Sequence, residues 1–312
     1  MMKVLIIGLG SAGKKHVDAL NQITDGEVEC LALRNNIKEA DVYKQVKNID
    51  SLEALPTIFD FAIISSPTSL HAPQIEKLLD YRIPLLIEKP VVDNINAGIQ
   101  LQKEIESKNI LTHVGCNLRF LEIMKFTKNF LIEKKLRINE VNIYGGSDLS
   151  QWRPHQDFRK SYSANENLGG GIHMDWIHEL DYLYWLLGEP IGATKVFGRK
   201  SALKINSIDY ANYIFEYSDF HASVILNYYR KDRKRTFEVV ASTGTLLVEL
   251  ELGNIYFNSK KIFNQKEAII ETYTNQMKYF LNSINTNTPS MNDFNHALTV
   301  LKMCLPNEKT KK

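Results

Sequence analysis

Short, wholly apolar runs alternate with amphipathic stretches through the first third of the chain. Val4, Leu5, Ile6 and Ile7 form an unbroken apolar run that stops at Gly8, as in a central parallel strand buried on both faces. Residues 14–20 then read as a helix and residues 28–33 as a second strand. Strands over 59–64, 84–87 and 111–114, with helices over 71–79 and 94–108, continue the alternation. This order predicts a Rossmann-type, doubly wound parallel sheet.

After Asn117 the rhythm changes. A helix over 121–134 precedes strands at 140–145, 194–200, 210–217, 222–229, 236–241 and 245–249. Short turns such as Ser218-Asp219 and Ser242-Thr243-Gly244 join several of them, which predicts an α+β domain with a large, mostly antiparallel open sheet. The dense charge run from Arg230 to Arg235 falls between two of these strands and reads as a solvated hairpin turn. Lining a phosphate-bearing substrate site is its other reading. The expected domains are residues 1–118 and 119–312.

Composition narrows the class without choosing a function. The 312 residues are 44% hydrophobic and 24% charged, and the net charge is +2, so no global field points to nucleic acid or to a membrane. The three cysteines are far apart and lack a CxxC pair; Cys30 and Cys116 sit in apolar runs and read as buried thiols rather than metal or redox groups. No targeting or membrane-spanning stretch is visible, so a cytoplasmic protein is expected. The Lys-rich residues 307–312 read as a frayed end.

The first chemistry lies at Gly8-Leu9-Gly10-Ser11-Ala12-Gly13, between a buried strand and a helix. In a dinucleotide-binding turn Gly8 permits the tight bend, Gly10 lets backbone approach a pyrophosphate, and Gly13 lets the helix pack on the strand. The amides of Ser11 and Ala12 open the helix toward that negative charge. Ser65, Ser66 and Pro67, and likewise Glu88 and Lys89, follow later strands, where open parallel sheets bind ligands. After the second strand stand Arg34 and Asn35 rather than a carboxylate, so the cofactor is NAD or NADP, with a slight lean to NADP through Arg34.

Glu88-Lys89-Pro90, the glycine turn, His16 and the run from Ser66 to His71 together resemble the glucose–fructose oxidoreductase/inositol dehydrogenase (Gfo/Idh/MocA) family. The segment from Leu168 to Asp181, with its three glycines and the HMDWIHELD text, resembles that family's second-domain active-site helix. The resemblance spans nearly the whole chain. It implies Lys89 and His178 as the catalytic pair with Asp175 assisting, and His71 beside the cofactor. The family's commoner spacing puts three residues between aspartate and histidine; here there are two, which leaves the division of labour between Asp175 and His178 open. On a helix, residues three apart still share a face. The chemistry suits these residue types: a histidine accepts the hydroxyl proton as hydride leaves, and a lysine steadies the reacting oxygen. His173 either competes for that role or packs, and His16 reads as structural.

Residues 151–163 mix aromatic, basic and hydroxyl side chains and suit sugar recognition, with Trp152, Arg153, Asp157, Arg159 and Tyr162 as substrate contacts. A solvated linking loop is the alternative. Asn117 and Arg119 are further substrate candidates, with His173, Asp175, His178 and Lys89. The resemblance implies an NAD(P)-dependent oxidoreductase interconverting an alcohol and a ketone on a sugar, cyclitol or nucleotide-sugar, with a link to cell-surface glycan synthesis. It also implies a homo-oligomer, dimer or tetramer, through the open sheet. The other readings are redox-neutral chemistry on a tightly held nicotinamide, and a non-catalytic nucleotide sensor.

Overall fold

A computed structural model of the chain describes residues 1–34, 43–51 and 59–306. They form two compact units, Met1–Asn117 with Ala268–Leu301, and Leu118–Glu267 with the residues from Lys302 on. The residues of the end run 307–312 lie outside the described ones.

The first unit is built on a six-stranded parallel sheet in the order β3-β2-β1-β4-β5-β6. Its strands are β1 (Met2–Ile7), β2 (Val28–Leu33), β3 (Lys47–Ile49), β4 (Phe61–Ile64), β5 (Leu85–Glu88) and β6 (Thr112–Gly115). Helices α1 (Ser11–Ile23), α2 (His71–Leu78) and α3 (Ile95–Lys108) connect them. All four residues of β4 and of β5 are buried, as expected of central strands covered on both faces. The chain order reverses between β1 and β4, so the ends of these two strands form the switch point of the sheet. Strand β3 was not foreseen, because Lys47 and Asn48 give it no apolar pattern.

Residues 268–301 also belong to this compact unit. Helix α7 (Ile269–Thr286) explains it. Its stripe Tyr273, Met277 and Phe280, at helical spacing, is buried in the same core as Val4, Ile6, Phe61 and Leu86. Phe280 meets Phe61 edge-on at 5.4 Å. Helix α8 (Phe294–Cys304) brings Leu298 onto Gly98 of α3, where an added Cβ would lie 2.5 Å from the leucine.

The second unit carries an eight-stranded sheet in the order β14-β13-β12-β11-β7-β10-β9-β8. The strands are β7 (Ile138–Asp148), β8 (Gly192–Gly198), β9 (Tyr210–Glu216), β10 (His221–Asn227), β11 (Tyr229–Ala241), β12 (Gly244–Glu249), β13 (Asn254–Phe257) and β14 (Lys260–Asn264). Every pairing is antiparallel except β7 with β10. Helices α4 (Glu122–Lys134), α5 (Ile172–Asp175) and α6 (His178–Leu187) belong to this unit.

The charge run is not a hairpin turn. Strands β10 and β11 lie on opposite sides of β7, so they cannot pair, and residues 230–235 open β11 with a register shift between Tyr229 and Lys234. Nor is the run simply solvated. Arg235 is buried against Glu179, Lys231 pairs with Asp148, and Arg233 pairs with Glu251. All three cysteines are buried thiols outside any disulfide, and burial pushes the Cys30 thiol up to about 11. Among the described residues, no helix is long and apolar enough to cross a membrane.

Candidate active site

The three glycines after β1 do different work. Gly8 has φ +92°, and an added Cβ would lie 2.6 Å from the Ser66 amide nitrogen. Gly13 has no room for a Cβ either, since it would sit 2.3 Å from the Gly8 carbonyl oxygen. These two are glycine because protein backbone crowds them. At Gly10 a Cβ meets nothing within 4 Å and φ is −78°, so neither strain nor neighbours require glycine there. The space beside it is open to a ligand. Gly10 also caps α1, whose first turn holds no acidic residue and whose first amides, among them Ser11 and Ala12, have no intrahelical acceptor. The open cradle fits a dinucleotide pyrophosphate.

Ser65 and Ser66, at the end of β4, adjoin this turn. Ser65 Oγ donates to the Gly8 carbonyl at 2.6 Å, and Ser66 Oγ donates to Gln74 at 2.5 Å. Pro67 begins the short turn that leads into α2. His71 is buried and spans two loops, with Nε2 3.0 Å from the Ser66 carbonyl and Nδ1 3.0 Å from the Pro90 carbonyl. Burial lowers its pKa, opposed by those carbonyls. Both ring nitrogens are engaged, so His71 is a strut between the two loops.

Lys89 follows β5 and precedes Pro90 through a cis peptide. In residues 85–92 it alone keeps solvent access. Beside it Glu88 is buried, its Oε1 2.7 Å from His16 Nε2, and the Lys89 amide donates to its Oε2 at 3.3 Å. Burial raises the Glu88 pKa, but the His16 hydrogen bond and the charges of His16 and Lys89 outweigh it and hold the carboxyl below its usual value. The His16 ring also packs edge-on against Tyr273 of α7 at 5.0 Å. His16 is thus the support of Glu88, a link that 72 residues of separation hide in the sequence. Arg34 lies just beyond β2, half-buried, while Asn35 lies outside the described residues. Asn117 is buried and its side-chain amide donates to Thr272 at 2.7 Å.

In the second unit, Gly170 and Gly171 introduce α5. A Cβ on Gly170 would lie 2.1 Å from the Tyr162 carbonyl oxygen, and Gly171 has φ +131°. Asp175 and His178 do not share one continuous helix, contrary to the helical-face expectation. Asp175 ends α5, His178 begins α6, and Trp176 breaks the helix with φ −103° and ψ 32°. Packing explains the break. The Trp176 ring sits on Gly145 of β7, where a Cβ would approach it to 2.4 Å, and the Arg235 guanidinium stacks on it at 4.6 Å.

Two buried ion pairs then hold the first turn of α6. Arg235 grips Glu179 with both ends of its fork, at 2.6 and 3.2 Å, and Arg119 grips Asp181 at 2.9 and 2.7 Å. Carboxylates at a helix start also suit its dipole. Arg119 is 2% exposed, so it serves this clamp and is not a substrate contact. In residues 170–183 only Asp175 and His178 keep solvent access. Asp175 Oδ2 accepts a 2.5 Å hydrogen bond from Tyr228, a residue that sequence reasoning missed because only its place in a strand was readable.

His173 is buried and meets Phe197 edge-on at 5.7 Å. Burial, helped by the Arg199 charge, pushes its pKa down to about 4. It packs. In the segment expected to bind substrate, Trp152, Arg153, Asp157 and Arg159 are exposed and Tyr162 is half-buried. Trp152 Nε1 donates to Ser147 at 2.8 Å, Tyr162 donates to the Gly169 carbonyl at 2.9 Å, and Arg159 pairs loosely with Asp157 at 3.6 Å. Of these, Trp152 is tied toward Asp175, because its ring meets Tyr228 edge-on at 5.5 Å.

Comparison with known proteins places this architecture. The family model described as an oxidoreductase family with an NAD-binding Rossmann fold matches residues 2–116, and the GFO/IDH/MocA C-terminal domain matches residues 143–247. Inositol 2-dehydrogenase of Rhizobium meliloti (strain 1021) is 25% identical over 328 residues, covering 95% of this chain and 93% of that protein. A 2,7-anhydro-N-acetylneuraminate hydratase of Escherichia coli (strain K12) is 23% identical across 64% of this chain and 53% of its own length. The solved UDP-N-acetylglucosamine 3-dehydrogenase of Acidithiobacillus ferrooxidans shares the fold, with TM-score 0.77 at 18% identity over 96% of this chain and 94% of that one. The chain therefore belongs to the GFO/IDH/MocA family of oxidoreductases, whose NAD-binding Rossmann domain is its first unit.

Proposed function

We propose that the protein oxidises a secondary alcohol of a sugar, cyclitol or nucleotide-sugar to the ketone, or runs the reverse reaction. The observation that carries this reading is selective exposure. Lys89 alone in residues 85–92, and Asp175 with His178 alone in 170–183, stay accessible within otherwise buried stretches. Nicotinamide supplies the hydride acceptor when bound. The residues of this chain handle the proton and the oxygen: His178 accepts the hydroxyl proton, Lys89 hydrogen-bonds the reacting oxygen, and Asp175 orients the imidazole. The C–H pair leaves as hydride while the O–H proton goes to His178, so the carbonyl forms without any other reactant.

The substrate class follows the relatives, which include a cyclitol dehydrogenase and a nucleotide-sugar dehydrogenase. Trp152 offers an apolar face for a sugar ring, with Arg153, Asp157, Arg159 and Tyr162 around it for hydroxyl or phosphate groups. Arg34 favours NADP over NAD. The large open sheet serves self-association into a dimer or tetramer, and the work of the enzyme lies in the cytoplasm, in the building of cell-surface glycans. A relative named as a hydratase supports a second reading, redox-neutral chemistry on a retained nicotinamide.

The test mixes purified protein with NAD⁺ or NADP⁺ and a panel containing myo-inositol and UDP-N-acetylglucosamine, and follows absorbance of the reduced cofactor. K89A and H178A should each lower kcat by roughly 10²- to 10⁴-fold while nucleotide binding persists. Wild-type turnover in both variants overturns the reading. Release of NAD(H) on denaturing protein that shows no net reduction favours the redox-neutral alternative.

A further inference from the structure

Tyr228 stands between β10 and β11, and its side chain is fully buried. Its backbone is fixed at both polar atoms: the amide donates to the Asp209 carbonyl at 3.0 Å, and the carbonyl accepts from the Leu149 amide at 2.8 Å. Its hydroxyl donates to Asp175 Oδ2 at 2.5 Å. Burial first, and the Asp175 charge second, hold the phenol far above its usual pKa, with Ser163 and Tyr162 as the other polar groups facing it. The hydroxyl therefore keeps its proton and stays a donor to the Asp175 carboxyl group. A buried charge-assisted hydrogen bond of this length is among the stronger ones in proteins.

We propose that Tyr228 is a positioning residue for Asp175, fixing the direction of its carboxyl group. The geometry shows more than a filler role. A phenylalanine would fill the same space and make the same edge contact with Trp152, so packing alone does not account for the hydroxyl. The same ring supports Asp175 at one end and Trp152, first aromatic of the substrate segment, along its edge. A rigid phenol thus gives the carboxylate and that segment one common support. This inference rests on the proposed assignment of Asp175 to the proton-handling pair.

The experiment compares Y228F, D175N and the double variant in the full-length enzyme, assayed with the substrate found in the panel. Y228F should lower kcat roughly 10- to 100-fold, the scale of a lost charge-assisted hydrogen bond, with KM and melting temperature little changed. D175N should lose at least as much, and adding Y228F to D175N should cost nothing further. Additive losses, or full activity in Y228F beside an impaired D175N, overturn the proposal. A Y228F protein that loses its fold overturns it as well, since the hydroxyl would then be a structural requirement. Full activity in D175N itself would instead sink the assignment of Asp175 on which the inference rests.

Discussion

Lys89 and the Asp175–His178 pair are each left accessible in a buried surrounding, but by different means. Around Lys89 the chain is held by close backbone packing and by histidines: Glu88 rests on His16, and His71 bridges the Ser66 and Pro90 carbonyls. Around His178 the chain is held by two arginine–carboxylate forks and by a tryptophan wedged at a helix break. The first arrangement uses short-range contacts and one buried charge partner. The second places four formal charges out of water, and depends on their pairing to offset the desolvation. The two regions should therefore fail differently.

The largest failure should come from opening a fork in the second region. R235M leaves Glu179, itself 0% exposed, with a buried and unpaired charge. That should cost about 3–5 kcal/mol of stability, read by equilibrium denaturation. R233Q, two residues away on the same strand but exposed, serves as the control: Arg233 is 55% exposed and its bond to Glu251 should be worth no more than about 1 kcal/mol. Activity in R235M should fall with stability, because Glu179 is the neighbour of His178. If R235M is as stable as R233Q, the forks do not hold this region, and the contrast drawn above collapses.

A second expected effect sharpens the contrast through pH. The folded pKa of His173 is pushed down to about 4, from an ordinary 6.5. Between those values the unfolded chain binds more protons than the folded one, so stability falls as the pH drops from 6.5 toward 4. The full shift corresponds to roughly 3 kcal/mol at most. Glu88 acts lower on the scale: its folded pKa lies below 4.5, so the stability it contributes is present above 4.5 and lost as pH falls through the depressed value. H173Q should therefore flatten the melting-temperature profile between pH 6.5 and 4. An unchanged slope in that window would mean that His173 is not what destabilises the second region in acid.

How much of this was legible beforehand follows from the range of the contacts. The strand–glycine–helix order of the first unit is local, and it is found with the parallel sheet it implies. The Lys89 loop and the His178 segment were recognisable as text because their spacing is short. What holds them was not, since Arg119–Asp181 spans 62 residues, Arg235–Glu179 spans 56 and His16–Glu88 spans 72. For the same reason Arg119 and Asn117 looked available for substrate although each has a buried partner. The charge run misled for a further reason. A dense run of charges on a strand beside β7 looks like a turn until the strand order is known. The stripe of α7 was periodic, but nothing in its own sequence says which sheet it covers.

The smallest expected effect on stability is also the most specific, and it concerns the glycine that the fold does not need. Gly8 and Gly13 are crowded by backbone, so alanine at either must displace Ser66 or the Gly8 carbonyl. Gly10 has ordinary φ and empty space where a Cβ would go. On protein grounds alone G10A should be neutral, or slightly stabilising through reduced freedom of the unfolded chain. A methyl group there would nevertheless stand where backbone must approach a pyrophosphate. G10A should therefore leave the melting temperature nearly unchanged and weaken nucleotide binding by roughly tenfold or more, about 1.4 kcal/mol, measured by calorimetric titration of NAD⁺ and NADP⁺. G8A should do the reverse, losing stability first and binding only as a consequence. If G10A binds both nucleotides as tightly as wild type, the open space at Gly10 is not the pyrophosphate cradle, and the sorting of the three glycines into two for the fold and one for the ligand fails.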